Sequence, residues 1–383
     1  MKGVADLCFS LNITVLKFIG VYSIENHKIL HKVYGYTTYV VTMFPVAIFS
    51  SVHFMYFSNL TDFEANDFVM VAMIGFTIKF LPCLMKRNEI KKCIHYFDHF
   101  DRSLRRVEHK KIIEECISTC RRNANVYFMG CVVVLGGFSG ELLMNLEELP
   151  FNMWLPNFVR ENPFWFYTVQ FLILSDIIYS GVFCGSIDTL MCGLCYRASA
   201  EIRVLKQSLQ DNDELIFLCE DKAAESGRMF SEIKKCIRHH QLIQNFVKFY
   251  EECFSMVLFT QIMESSLIIA FLCFQLNTVL KSMTMDLNFY TFVNDLILQI
   301  FQILFYCYYG TLLMEENKSL SNAVYLSRWY EYDVQCRKAL IMLMEGSKKP
   351  MTVTAGKLFP LSLETFTTIL RRAYSLVAVL KSY

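Results

Sequence analysis

Six charged residues stand within long apolar stretches of the sequence and are the first candidates for chemistry. They are Lys79, Glu141, Asp176, Asp188, Glu264 and Asp295. A charge inside a membrane-length apolar stretch is costly, so it usually pairs with another group or lines a cavity or an ion path. We interpret Asp188 and Glu264 as either such functional charges or paired charges at inner helix ends. Glu141 and Asp295 would either line a cavity or lie in the headgroup layer.

The pair Cys192 and Cys195 has the C-x-x-C spacing of some metal and redox sites. A zinc site would need a second pair or a nearby histidine, and the surrounding stretch is apolar, so we predict buried, inert thiols. His239 and His240 lie in a basic stretch and are predicted to be solvated. The sequence has no nucleotide-binding loop, nucleophile elbow or zinc-protease motif, so we expect no enzyme activity, metal or cofactor.

The composition indicates an all-α membrane protein. Of 383 residues, 54% are hydrophobic and 34 are Phe, and the net charge of +1 gives no reason to expect a nucleic-acid partner. The stretch from Leu11 to Ile19 is too short and too interrupted for a cleavable signal peptide. It is expected to form either an interfacial helix or a helix packed on the protein.

Seven stretches approach the roughly 20 apolar residues that a membrane-spanning helix needs. They lie near residues 34–57, 65–85, 125–146, 164–195, 251–280, 287–313 and 359–381. The two long segments between them, 88–122 and 198–250, mix charged and apolar residues at helical spacing. We expect these segments to continue the spans as a cytoplasmic helical bundle, either within one chain or between subunits.

Lys and Arg are distributed unevenly between the two sides of these spans. They crowd the loops after the second, fourth and sixth spans, whereas the loop 58–64 has none and the next loop on that side has only Arg160. By the positive-inside rule the N-terminus is cytoplasmic and the C-terminus is extracellular. That orientation argues against a G-protein-coupled receptor. It also places Asn59, in the sequence Asn-Leu-Thr, outside as a glycosylation candidate.

The last span carries the sharpest local pattern. Pro360 suits the first position of a helix, and Arg371 and Arg372 near its middle would be costly against lipid. Val377 and Leu380 lie one turn apart on one face, where they could form a hydrophobic constriction of a pore. The alternative is a peripheral helix whose arginines reach the interface.

Aromatic residues crowd the outer halves of the second to sixth spans. Most are expected to face lipid or the interface, but a few could enclose an apolar pocket for small volatile molecules. Depth and helical face give the following ligand-binding candidates: Met73, Phe76, Phe138, Leu142, Phe171, Tyr179 and Ile300.

The C-terminal part of the chain carries a series of short segments with a distinctive order and spacing. They are Tyr306–Gly310, Glu315–Ala323, Trp329, Arg337–Leu340, Lys348–Pro350, Thr354–Lys357, Phe359–Phe366 and Tyr374–Ser375. Together these segments resemble the insect odorant receptor family. The resemblance covers about the last fifth of the chain closely, and the length, seven spans and inverted topology extend it loosely to the whole.

The resemblance implies a non-selective cation channel that odorants open directly in olfactory neurons. Four subunits would surround one pore lined by the last helix, here by Leu376, Val377 and Leu380. A tuning subunit would assemble with a shared co-receptor in the plasma membrane of the sensory dendrite. This chain lacks the long insertion of the co-receptor between spans four and five, so it resembles a tuning subunit.

These expectations divide the chain into four parts: a cytoplasmic segment 1–33, six spans with the ligand pocket in 34–313, a cytoplasmic anchor segment 314–358, and a pore-lining helix in 359–383. A gustatory-type receptor channel would share this layout. A G-protein-coupled receptor is the third interpretation, and it would require an extracellular N-terminus.

Overall fold

The structure is a computed structural model that describes residues 3–22, 28–55, 67–98, 107–144, 154–215, 222–282 and 287–380. Its helices are α1 (Val4–Cys8), α2 (Ser10–Ile19), α3 (Lys28–Thr38), α4 (Phe44–Met55), α5 (Asp67–Met85), α6 (Arg87–Ile94), α7 (Val107–Met144), α8 (Asn157–Glu161), α9 (Pro163–Leu215), α10 (Lys222–Ser282), α11 (Leu287–Leu326), α12 (Val334–Lys348) and α13 (Leu363–Leu380). A π-helical turn, Tyr39–Met43, joins α3 to α4, and a 3-10 turn, Trp329–Glu331, precedes α12.

Helices occupy all seven predicted spans in the described residues. Four of them are long and apolar enough to cross a membrane, and a fifth is counted if the bent pair α5–α6 is one span. α7 and α13 occupy the remaining two positions, so the count of seven spans stays a prediction. The chain is a mostly helical, multi-pass membrane protein.

The longest helices extend well beyond a bilayer. α9 has 53 residues and α10 has 61, which at about 1.5 Å per residue gives lengths of roughly 80 and 90 Å. A hydrocarbon core of about 30 Å covers less than half of either helix. The predicted continuation of spans four and five as helices is therefore confirmed.

The chain bends sharply after the second predicted span. α5 and α6 meet at 74°, and Lys86 between them leaves the helical conformation. Pro82 lies inside α5 and cannot donate a backbone hydrogen bond. The bend turns α6 away from the axis of the span and onto the extended part of α10.

The last helix begins later than predicted. Phe359 and Pro360 form β2, which pairs antiparallel with β1, Thr354–Ala355. α13 starts at Leu363, and its first turn is capped by Ser362, whose hydroxyl accepts a hydrogen bond from the Thr365 amide at 3.1 Å. Placing Pro360 at the helix start was wrong because the sequence also suits a short hairpin, which turns at Gly356 with a φ of 61°.

The N-terminal helix packs on the protein. Leu16 and Ile19 of α2 are fully buried. The Asn12 side chain donates to the Ser186 carbonyl at 2.8 Å and to the Thr189 hydroxyl at 2.7 Å. Of the two alternatives for this stretch, the structure favours the packed helix because Asn12 is satisfied by α9.

The two adjacent histidines are buried, which corrects the prediction that they are solvated. His239 pairs with Glu201 at 3.0 Å, and His240 is hydrogen-bonded to the Asn317 side-chain oxygen at 3.0 Å. The Asn317 amide nitrogen donates to two carbonyls of the anchor segment, so its oxygen accepts from His240. Burial lowers the pKa of His240. The prediction failed because the stretch is basic overall, whereas α10 turns the face that carries these two histidines into the bundle of extended helices.

Candidate ligand site

A cavity of about 140 Å³ lies between α5, α7, α9, α10 and α11. Its apolar walls come mainly from α5 and α9, and its polar groups come mainly from α11. The lining residues are Val69, Ala72, Met73, Phe76, Tyr127, Cys131, Ile177, Gly181, Cys184, Ile268, Asp295, Leu298, Gln299 and Gln302. An apolar cavity with a few convergent polar groups is typical of a small-molecule site.

Two acceptor oxygens in the cavity wall lack partners among the described residues. Asp295 is 6% exposed and its Oδ2 accepts no hydrogen bond. Gln299 stands one turn later on α11, and its Oε1 is likewise unsatisfied. Residues four apart on a helix share a face, so both side chains meet the cavity from the same wall.

A polar network centred on Asp188 closes one side of the cavity. Lys79 is fully buried and donates to Asp188 and to Gln261. Two residues that line the cavity also donate to Asp188: the Tyr127 hydroxyl at 3.3 Å and the Gln302 amide at 2.5 Å. The five residues belong to five different helices, so the network ties the walls of the cavity together.

Asp188 is a paired charge, because Lys79 is its partner, whereas Glu264 forms no ion pair among the described residues. Its two carboxyl oxygens are buried without partners among the described residues. The carboxyl lies against the backbone of α5, where a Cβ atom added to Gly75 would be 2.3 Å from the Glu264 carboxyl carbon. Glycine at this position is what permits α5 and α10 to approach.

The predicted ligand-binding residues separate into three groups. Met73 and Phe76 line the cavity. Phe171 is 69% exposed, Tyr179 donates its hydroxyl to the Ile19 carbonyl, and Ile300 packs beside α13, so these three lie elsewhere. Phe138 and Leu142 belong to α7, but their side chains are outside the described residues. Ligand contact by any of the seven stays a prediction.

The other polar residues of the cavity were not among the predicted site residues. Gln299 and Gln302 follow Asp295 by four and seven residues, which is the spacing of one helical face. Three polar side chains on one face of an otherwise apolar span are a pattern from which a buried polar site could have been predicted. Tyr127 carried no such signal, because one tyrosine near the start of a span is common at the interface.

The two faces of α13 differ in polarity. Phe366, Ile369, Leu370 and Ala373 pack against α10 and α11, whereas Glu364, Thr367, Thr368, Arg371, Arg372 and Ser375 are exposed. The exposed row is the side on which an aqueous path or another subunit would have to lie. The side chains of Leu376, Val377 and Leu380 are outside the described residues, as is Asn59.

The cysteines of the described residues are all free, and most are buried. Cys192 and Cys195 are 2% and 3% exposed, so the prediction of buried thiols is confirmed. Outside the predicted spans, burial raises the pKa of Cys93 and of Cys336. No group of three or more ligating side chains among the described residues could hold a metal.

The sequence of the chain is similar to that of known proteins. The family model described as 7tm Odorant receptor matches residues 59–374. Odorant receptor 94a of Drosophila melanogaster is 30% identical over 255 residues, which cover 65% of this chain and 62% of that relative. Odorant receptor 22b of the same fly is 20% identical over 357 residues, covering 91% of this chain and 86% of the relative.

A solved structure shares the fold along the whole chain. It is the olfactory receptor OR5 of the insect Machilis hrabei in complex with eugenol, with a TM-score of 0.79 at 13% identity, covering 98% of this chain and 97% of that one. At this identity the likeness shows the fold alone, and the family model adds the sequence evidence. The chain belongs to the 7tm Odorant receptor family of insects.

Proposed function

We propose that this chain is the odorant-binding subunit of a ligand-gated, non-selective cation channel in the plasma membrane of insect olfactory neurons. The observation that carries the proposal is the cavity between five helices in a chain of the odorant receptor family. The chain assembles with a co-receptor subunit into a heterotetramer. Its N-terminus is cytoplasmic, and Asn59 is glycosylated on the outer side.

The cavity is the odorant site in this proposal. A dry cavity of about 150 Å³ lined by apolar side chains binds benzene, so about 140 Å³ suits a molecule of one ring or a short chain. The Machilis hrabei receptor was solved with eugenol, a molecule of this class. Met73 and Phe76 supply apolar contact, which tolerates chemical variety because it has little directionality.

The helix α11 connects the odorant site with the pore. One side of α11 lines the cavity through Asp295, Gln299 and Gln302. The other side packs Ile303 and Cys307 against Ala373 of α13. A shift of α11 on binding therefore moves α13, the proposed pore helix.

The hairpin before α13 adds a second connection. The Gly356 amide donates to the Ser255 carbonyl of α10 at 2.8 Å, and the Ser255 hydroxyl donates to Thr354 at 3.0 Å. Phe259 and Phe359 stack with ring centroids 6.5 Å apart. The start of α13 is thereby fixed to α10, so the pore helix pivots at its inner end.

Gating is a population shift in this mechanism. The odorant binds the open arrangement more tightly than the closed one, and moving an equilibrium from 1:99 to 99:1 requires a preference of about 10⁴-fold. In the closed channel, Leu376, Val377 and Leu380 narrow the pore to a hydrophobic constriction. Odorant binding withdraws these side chains, and hydrated cations pass.

The proposal is tested by recording currents from cells that express this chain alone, the co-receptor alone and both together. Volatile odorants are applied while G-protein signalling is blocked. Fast currents specific to the pair are expected. Currents abolished by the block would instead assign the chain to a G-protein pathway, and responses to soluble tastants alone would indicate a gustatory channel.

The cavity itself is tested by a matched pair of variants. Phe76→Ala removes a cavity wall and is expected to raise the half-maximal odorant concentration by at least about tenfold, because covering a Phe side chain contributes about 1.5–3 kcal/mol and about 1.4 kcal/mol is tenfold in affinity. Phe171→Ala removes the same side chain from an exposed position and is expected to leave it unchanged. Equal effects of the two substitutions would show that the cavity is not the odorant site.

A further inference from the structure

The carboxyl group of Asp295, in the cavity wall, has an oxygen atom that accepts no hydrogen bond from the described residues. Asp295 Oδ2 and Gln299 Oε1 are acceptors without partners among the described residues, one turn apart on α11. A buried acceptor left unsatisfied costs about 1–3 kcal/mol. A ligand that brings hydrogen-bond donors recovers this cost, whereas a pure hydrocarbon does not.

The predicted spans contain more buried acidic side chains than buried basic ones, which indicates the charge of that ligand. Among the described side chains of these spans, Asp176, Asp188, Glu264 and Asp295 are each at most 6% exposed. Lys79 is the single buried basic side chain among them, and it forms an ion pair with Asp188. Asp176, Glu264 and Asp295 thus form no ion pair in the part of the chain that the structure describes, and a cation bound beside one of them would supply its missing counter-ion.

We propose that the cavity selects a small protonated primary amine as its odorant class, which rests on the proposed function and deepens it. The ammonium group donates to Asp295 and to Gln299. The hydrocarbon part of the molecule lies against Met73, Phe76 and Ile268 on the opposite walls.

The number of donors separates an amine from the other small volatiles. An ammonium has three N–H donors and can satisfy both oxygens at once, whereas an alcohol has one donor. Hydrogen bonds between charged groups are also about twice as strong as those between neutral groups. Desolvating the ammonium is costly and is offset only where a carboxylate meets it, which is the role assigned to Asp295.

The test uses three compounds of one skeleton: 2-phenylethylamine, 2-phenylethanol and ethylbenzene, applied at pH 7.4 to cells that express the chain with its co-receptor. The amine is expected to be at least about tenfold more potent than the alcohol. Asp295→Asn keeps the shape and removes the charge, and it is expected to weaken the amine by at least about tenfold while changing the alcohol less than about twofold. Asp295→Glu is expected to retain the preference for the amine.

Asp176→Asn is the matched control, because it removes an equally buried carboxyl that does not line the cavity. It is expected to leave the potency ratio of amine to alcohol unchanged. A wild-type preference for the alcohol would overturn the inference, as would an amine response unaffected by Asp295→Asn.

Binding to the purified chain separates this inference from the proposed function. In detergent, 2-phenylethylamine is expected to raise the melting temperature of the wild-type chain and of Asp176→Asn, but not that of Asp295→Asn. This result without any current would support the amine site and refute the channel proposal. Currents with no amine-dependent stabilisation would do the reverse.

Discussion

Replacing Lys79 with Met should destabilise the protein strongly, because it leaves Asp188 charged and buried without its counter-ion. The two side chains are 0% and 1% exposed. Removing one partner of such a pair costs about 3–5 kcal/mol. Asp188 would keep its hydrogen bonds from Tyr127 and Gln302, but neither neutral donor cancels the charge.

A second substitution should restore most of that loss. In Lys79→Met/Asp188→Asn the site is neutral, and the amide oxygen can still accept from Gln302. Replacing a whole buried pair by neutral groups is often close to neutral in stability, so the double variant should lie within about 2 kcal/mol of wild type.

The assay is thermal or denaturant unfolding of the purified chain in detergent, followed by size-exclusion fluorescence. Lys235→Met is the control, because its pair with Glu232 is 66% and 45% exposed and such surface pairs contribute about 0–1 kcal/mol. A single variant as stable as this control would refute the reasoning, and so would a double variant no more stable than Lys79→Met.

Three further outcomes are expected. Gly75→Ala should lower melting temperature and surface expression, since its Cβ would meet the Glu264 carboxyl, while Gly136→Ala has open space and should have no such effect. His240 is held neutral by burial, so its stabilising effect is present above pH 6.5 and is lost as the pH falls below it; His240→Gln should flatten the melting temperature over this range. Val377→Ala should alter ion permeation in channels formed with the co-receptor, and a change with Val379→Ala alone would assign the pore to the other row of α13.

The sequence predicts the helices well and their partners poorly. A stretch of 20 apolar residues must form a helix in lipid, because every backbone group needs a partner there. Periodicity indicates which face of that helix is apolar, but not whether the face meets lipid or protein. Tyr179 illustrates the limit: its depth fits a pocket, yet its hydroxyl binds the Ile19 carbonyl because α2 occupies that side of α9.

The cavity could be anticipated only in part for the same reason. Met73 and Phe76 follow from depth and face on one helix. The Asp188 network joins five helices and depends on their relative rotation, which a single sequence does not encode locally. The hairpin at Phe359 and Pro360 was missed because proline suits both a helix start and a strand.

The buried thiols make this chain a suitable background for chemical mapping of the ion path. A thiol reagent dissolved in water reacts with exposed thiolates, and burial protects most native cysteines of the described residues. A cysteine introduced at Thr367, Thr368 or Ser375 would stand in the exposed row of α13. Its modification rate, measured with reagent added on either side of the membrane, would report water at that depth and the orientation of the helix.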